Sequence, residues 1–352
     1  MEKNLLSFLE ELVKAPSPSG FEQAAQDVYR KFVSQYADEV KTDFHGNVIA
    51  LKKGKGKKRV MLVGHVDEIG FIVKYIDDRG FIRFSPIGTM DCSLTPGHRV
   101  NIYHEDKVIH GVIGVKPAFM HKEWVRDKVV TLDELWIDIG AKDKKDAEKA
   151  VSVGDRITYS HNWQRLPNNL ITTKSADNKV GVFITAAVLS NLYKQEINAN
   201  IYCVSSVQEE IGGRGVRTSA FGVDPHIGIA VDLTHAIDYP TLDPNIYGEI
   251  KLNEGIVITV GANINPRVLE LQEKAAKEAN VKYQIEAIPG PTLTDAFYLQ
   301  ISREGVATGV LTIPARYMHT PSEIVSLTDI EDAIKVLTHF CKMIDDDTNL
   351  IP

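Results

Sequence analysis

One interruption constrains the fold of this chain most. Up to about Gly70, and again from about residue 167, apolar strand-like runs alternate with helix-like ones. Between them, over 71–166, the pattern changes to short alternating runs separated by turn residues, at 71–75, 81–84, 99–103, 108–115, 135–139 and 155–159. Helical signal there is confined to 144–150 and a turn near Thr131. Many short strands with a period of two and turns between them predict a small β-barrel. The alternation on either side predicts a mostly parallel-stranded sheet flanked by helices. The expected architecture is an α/β body built from residues 1–70 and 167–352, with a β-barrel domain, 71–166, inserted into it. A length of 352 residues suits two such units.

Within the body, Leu5, Leu6, Phe8, Leu9, Leu12 and Val13 form a helical apolar stripe that Pro16 and Pro18 close. Ser19-Gly20-Phe21-Glu22 has the form of a capping box and predicts a second helix running to about Tyr36. His45-Gly46-Asn47 marks a hairpin, and the almost wholly apolar run 59–64 reads as a strand buried on both faces. Beyond the insert, strands are expected at 201–207, 227–231, 256–260, 283–288 and 306–313. Helices are expected at 180–193, 216–221, 266–279, 295–301 and 328–344. A net charge of -7 argues against a nucleic-acid partner, which requires a basic face. No apolar run reaches membrane-spanning length and no signal-peptide pattern opens the chain, so a cytoplasmic location is expected. Cys92, Cys203 and Cys341 are widely spaced and odd in number, which reads as reduced thiols.

Chemistry gathers at the strand ends. The 201–207 run stops at two adjacent carboxylates, Glu209 and Glu210, followed by Gly212 and Gly213. Glycine tolerates the sharp turn that lets both carboxylates serve one site, one binding a cation while the other moves a proton. His65 and Asp67 follow the 59–64 run, Asp232 follows 227–231, His319 follows 306–313, and Asp177 precedes the helix that starts near Val180. Sites in open α/β sheets lie outside the carboxyl ends of the strands. Singly, each residue has an ordinary reading: a solvated acidic loop, a core histidine, a helix cap, a turn. Together, so many imidazoles and carboxylates at one sheet edge need a counter-charge. Histidine with carboxylate and no thiolate suits zinc, cobalt or manganese, and a carboxylate at Asp177 is placed to bridge two cations.

The ordered set His65-Val66-Asp67-Glu68-Ile69-Gly70, Ala176-Asp177-Asn178-Lys179, Glu209-Glu210-Ile211-Gly212, Val231-Asp232-Leu233-Thr234-His235-Ala236 and Met318-His319-Thr320-Pro321-Ser322-Glu323 resembles the tetrahedral aminopeptidase family of dinuclear metallopeptidases. That family includes glutamyl and deblocking aminopeptidases and members labelled cellulase M, and the resemblance covers essentially the whole chain. It implies a zinc-peptidase-like body, two divalent cations per subunit (zinc or cobalt, with manganese as the alternative), and removal of N-terminal residues from short peptides. By position it makes Asp177 the bridging ligand, gives His65 and Asp232 to one cation and Glu210 and His319 to the other, makes Glu209 the general base, and has Asp67 orient His65. It also implies pairing through the inserted domain into dimers and then a tetrahedral dodecamer. Two positions depart from the family pattern: Asp177-Asn178-Lys179 stands where many relatives carry Asp-Asp-Arg, and the insert loop from Lys116 to His121 lacks the proline pair directly before histidine. His121, His161 and His235 are not expected to be ligands. Competing functions are a deacylase of small N-acyl substrates and a glycoside hydrolase, the latter needing a carboxylate pair but no such histidines. The substrate pocket is expected from loops at 245–254 and 288–295, with Asp295 either lining it or standing at a helix start behind Thr294.

Overall fold

The computed structural model describes residues 1–120 and 129–352; His121 lies outside the described residues. Strands from both ends of the chain share one sheet, whose edge strand Gln164–Leu166 comes from the end of the stretch expected to be barrel. That sheet runs Glu39–Thr42, Val48–Lys52, Asn200–Ser206, Arg59–His65, Ile227–His235, Ala307–Arg316, Glu323–Ser326, Leu170–Thr173 and Gln164–Leu166 in spatial order. Ile256–Gly261 pairs with Ala307–Arg316 and with Tyr283–Ile288 off that path. Parallel pairing is concentrated at the centre, where Asn200–Ser206, Arg59–His65, Ile227–His235 and Ala307–Arg316 lie side by side. Towards both ends of that path the pairing is antiparallel, and off it Ile256–Gly261 and Tyr283–Ile288 pair parallel, so as a whole the sheet is mixed. The central strands are apolar almost without a break because helices cover both faces.

The most buried helix is Ala176–Leu192, apolar on every side, which packs on Arg59–His65 and Ile227–His235 and against the last helix, Leu327–Met343. That last helix begins where Ser326 accepts hydrogen bonds from the amides of Thr328 and Asp329. The first helix, Lys3–Lys14, buries Phe8, Leu9, Leu12 and Val13, and Phe8 stacks on Phe32 of helix Gln23–Val33 at 3.9 Å between ring centroids. The capping box expected before this second helix does not form. Glu22 accepts from the amide of Gly20 instead, and the Ser19 hydroxyl reaches across the fold to Asp67.

The segment between the halves closes into an antiparallel barrel. Its strands follow the order Gly70–Ile76, Ile82–Ile87, Trp136–Asp138, Lys107–Gly114, Arg99–His104 and Arg156–Tyr159, with the first and last paired through Phe71 with Ile157 and Ile72 with Arg156. Phe71, Ile82, Val100, Ile102, Ile137 and Ile157 fill its interior. The 86–90 segment lies against the carboxyl end of the main sheet, where Gly88 borders Glu210 and Ile69.

Candidate metal-binding active site

Strand register brings the first candidate ligands together. His65 is level with Ser206 in the parallel pair of Arg59–His65 and Asn200–Ser206. On the other side Val63 pairs with Ala230, and two further residues along each strand bring His65 beside Asp232. The Ile227–His235 strand does not end before Asp232, as the apolar run alone suggests; pairing with Ala307–Arg316 carries it on to His235. Asp177 arrives from above. Helix Ala176–Leu192 opens with two residues, Asp177 and Asn178, off helical geometry. The Asp177 amide donates to Glu323 Oε2 at 3.0 Å, and Asn178 Nδ2 donates to the Val231 carbonyl at 2.8 Å. These bonds fix the turn from which the Asp177 carboxylate projects.

The side chains form two trios that share Asp177: His65, Asp177 and Asp232, and Asp177, Glu210 and His319, with donor atoms within 4.8 Å of one another in each. His65 Nε2 is 3.4 Å from Asp177 Oδ1 and 3.8 Å from Asp232 Oδ1. His319 Nε2 is 3.1 Å from Asp177 Oδ2 and 3.6 Å from Glu210 Oε1. Asp177 thus turns one oxygen to each imidazole, the disposition a bridging carboxylate needs. Glu209 stands beside the first trio, its Oε2 3.8 Å from His65 Nε2, yet belongs to neither. After Glu210 the chain turns through Gly212 and Gly213, both at positive φ, whose amides donate to the Glu209 carbonyl.

Asp67 contributes more than orientation of an imidazole. His65 Nδ1 meets the Asp67 carbonyl oxygen at 3.1 Å, closer than the carboxylate at 3.5 Å. The fully buried carboxylate instead accepts the amides of Glu209 at 3.0 Å and Glu210 at 3.1 Å and the Ser19 hydroxyl at 2.6 Å. It is the clamp on the backbone that carries both glutamates.

Burial dominates the electrostatics. It pushes Asp232 up to about 8 against the pull of His65, and Glu210 up to about 8 with Asp177 adding to the effect. Burial also raises Glu209 well above the usual carboxylate range; His65 opposes the rise, while Asp295 and Asp232 add to it. Despite burial, the hydrogen bond to Asp177 and the charge of Glu210 raise His319 to about 10. Three carboxylates, Asp177, Glu210 and Asp232, and two imidazoles make a donor set of oxygen and nitrogen without sulfur. That set fits two hard-to-borderline divalent cations, whose charge would offset the crowding.

Several supporting residues escaped the sequence reading. Glu323, four residues beyond His319, joins the site by accepting the amides of Asp177 and His319. Lys179 is fully buried with its Nζ 3.0 Å from Glu68 Oε1 and 2.6 Å from the Ala15 carbonyl, while Lys174 bonds Glu68 Oε2. Burial lowers Lys179 to about 7, and against its own burial Glu68 is held down to about 2 by Lys174 and Lys179. The lysine that departs from the family pattern is therefore built into an internal ion triad behind the Asp177 loop. Thr294 does cap helix Asp295–Leu299, and Asp295 bonds the Ser206 hydroxyl at 2.5 Å beneath the site. His161 and His235 belong to neither trio, and the insert loop up to Met120 is exposed where its burial is described.

The profile of the M42 glutamyl aminopeptidase family matches residues 46–336. A lysyl aminopeptidase of Pyrococcus furiosus is 36% identical over 93% of this chain and 94% of its own length. The TET aminopeptidase of a marine-sediment Thaumarchaeota archaeon has a TM-score of 0.94 at 30% identity, covering 99% of both chains. The TET1 peptidase of Pyrococcus horikoshii, which can assemble into a tetrahedron or a large octahedral shell, has a TM-score of 0.86 at 26% identity, over 97% of this chain and 100% of its own.

Proposed function

The chain belongs to the M42 glutamyl aminopeptidase family and is an aminopeptidase, a hydrolase of peptide bonds, and from that premise we propose that it removes N-terminal residues from short peptides with two divalent cations held at the paired trios. The observation that carries this reading is the shared Asp177, each oxygen facing one imidazole, with Glu209 close by and outside both trios. His65, Asp177 and Asp232 would hold one cation, and Asp177, Glu210 and His319 the other, zinc or cobalt being the best suited and manganese the alternative. When bound, such a pair supplies Lewis acidity toward the scissile carbonyl and makes the attacking water more acidic.

The chain's own residues do the rest. Glu209 takes the proton of the attacking water on its carboxylate and returns it to the leaving amine, a role that requires its oxygens to stay free of a cation. Asp67 holds the Glu209 backbone in place, and Glu323 holds the backbones of Asp177 and His319. Glu209→Gln should keep the metals and the fold and lower turnover roughly 100- to 10,000-fold, because an amide does not accept the proton. Turnover within a few-fold of the parent would remove Glu209 from the base role.

We further propose that the barrel, whose strands run from Gly70 to Tyr159 within the 71–166 stretch read as an insert, is a dimerisation domain and that dimers assemble to a closed shell of about twelve chains. Support comes from the assemblies of similar chains and from the apolar side chains Val108, Val112 and Phe119, which the barrel exposes. Enclosure would limit access to short unfolded peptides. A monomer by light scattering at micromolar concentration with metals bound would overturn the assembly and leave the chemistry standing.

A further inference from the structure

The two trios are not built alike. His65 is 3% exposed, and its Nδ1 is held by the carbonyl two residues further along its own chain. His319 sits in a loop at positive φ and is 34% exposed. Its amide is tied to Glu323, but its Nδ1 is held from outside the body, by the Thr89 carbonyl of the barrel at 2.8 Å. A carbonyl only accepts, so this contact places a proton on Nδ1 and leaves Nε2 as the nitrogen that faces Asp177 and Glu210, the one a cation would take in place of its proton. The residue before Thr89 is equally committed. Gly88 has φ +80, and a Cβ there would lie 2.9 Å from Ile69 Cγ2 and 3.3 Å from Glu210 Oε2. The same two-residue turn of the barrel therefore backs one ligand of the second trio and aims another.

We propose that the inserted barrel is a working part of the metal site: its Gly88-Thr89 turn is a positioning element for Glu210 and His319, and the second trio binds its cation tightly only while that turn is seated. The first trio has no such dependence. The proposal rests on the two-cation reading above. It gives the insert a role within each subunit, separate from assembly.

A glycine elsewhere in the same barrel provides the control. Gly97 has φ +82, and nothing lies within 4 Å of a Cβ built on it, so Gly97→Ala carries the same backbone strain without touching the site. The full chain, stripped by chelator, is titrated with zinc by calorimetry. The parent and Gly97→Ala should take up two equivalents with parental affinities. Gly88→Ala should take up the first as the parent does and bind the second roughly 10- to 100-fold more weakly, the usual effect of losing support behind a metal ligand. Parental binding of both equivalents by Gly88→Ala, or equal weakening in the two variants, overturns the proposal. A parent that binds fewer than two equivalents overturns the two-cation reading with it. Should Gly88→Ala fail to fold, histidine-selective nitrogen NMR of the zinc-loaded parent decides: a proton on His319 Nδ1 supports the proposal, and a proton on Nε2 refutes it.

Discussion

Replacing Asp67 by asparagine tests the clamp with a single atom. In the parent, Oδ1 accepts the Glu209 amide, and Oδ2 accepts the Glu210 amide and the Ser19 hydroxyl. Asparagine has one oxygen and one NH₂, and either way round the NH₂ points at one of the two amides. Ser19 can rotate to accept; a backbone N–H cannot. One buried N–H is then left without an acceptor, at about 1–3 kcal/mol, and the two remaining bonds lose the charge of their acceptor, at about 1 kcal/mol each. The sum, on the order of 3–5 kcal/mol, is local to the segment that carries the proposed base and one ligand. Relief comes by moving that segment, and a shift of about 1 Å costs roughly 100-fold in rate. The expected outcome of Asp67→Asn is a fall in kcat of roughly 100-fold on an aminoacyl chromogenic substrate, with faster amide hydrogen exchange over 209–213. The His65 contact through the Asp67 backbone is unchanged, so the first cation should stay. Ser19→Ala, which removes one hydroxyl donor, should cost only a few-fold. A kcat for Asp67→Asn within threefold of the parent, with parental exchange at 209–213, would refute the clamp.

Two further outcomes follow from the shared ligand and the buried charges. Asp177→Asn should lose more bound metal than His65→Ala or His319→Ala, because it alone enters both trios; two equivalents retained, by elemental analysis, would end its bridging role. In the chelated protein, Asp232 and Glu210 have carboxyls raised to about 8 by burial, and His319 is raised to about 10 by Asp177 and Glu210. Each binds more protons folded than unfolded, so these groups cost the chelated protein stability as pH rises from about 4 to about 8; above about 7 the further loss from His319 is opposed by Lys179, which burial lowers to about 7 and which binds fewer protons folded than unfolded. Added zinc should flatten that slope in urea melts; a chelated protein whose stability rises over the same range would contradict these shifts.

Much of this was legible in the chain because it is periodic. Apolar runs ending at His65, and at Ser206 just before the two glutamates, announce strands and a site edge, and the change of period after Gly70 announces the barrel. What was not legible depends on partners distant in sequence. Ser19 has the local pattern of a cap, but a buried carboxylate outcompetes the helix end for its hydroxyl. Lys174 and Lys179 look like surface charges until Glu68 is placed between them. The strand that carries Asp232 looks finished at Val231 because one strand in isolation does not reveal how far its neighbour pairs with it. The Thr89 carbonyl carries no side-chain signal at all, since every residue offers the same oxygen.

The pairing of the barrel's first and last strands has a consequence for chain entropy. Strand Arg59–His65 lies in the sheet beside Asn200–Ser206, and the whole barrel intervenes in sequence. Closing a loop costs more the longer and more disordered it is, though only by about 0.6 kcal/mol per doubling. Phe71 paired with Ile157 joins the insert's entry to its exit, so a folded barrel shortens the effective span between the two halves of the body. It acts on the rest of the chain as a cross-link made of hydrogen bonds and apolar contacts. The order of assembly with least entropic cost therefore closes the barrel first and the sheet second, and the site at the sheet's edge is completed last of all.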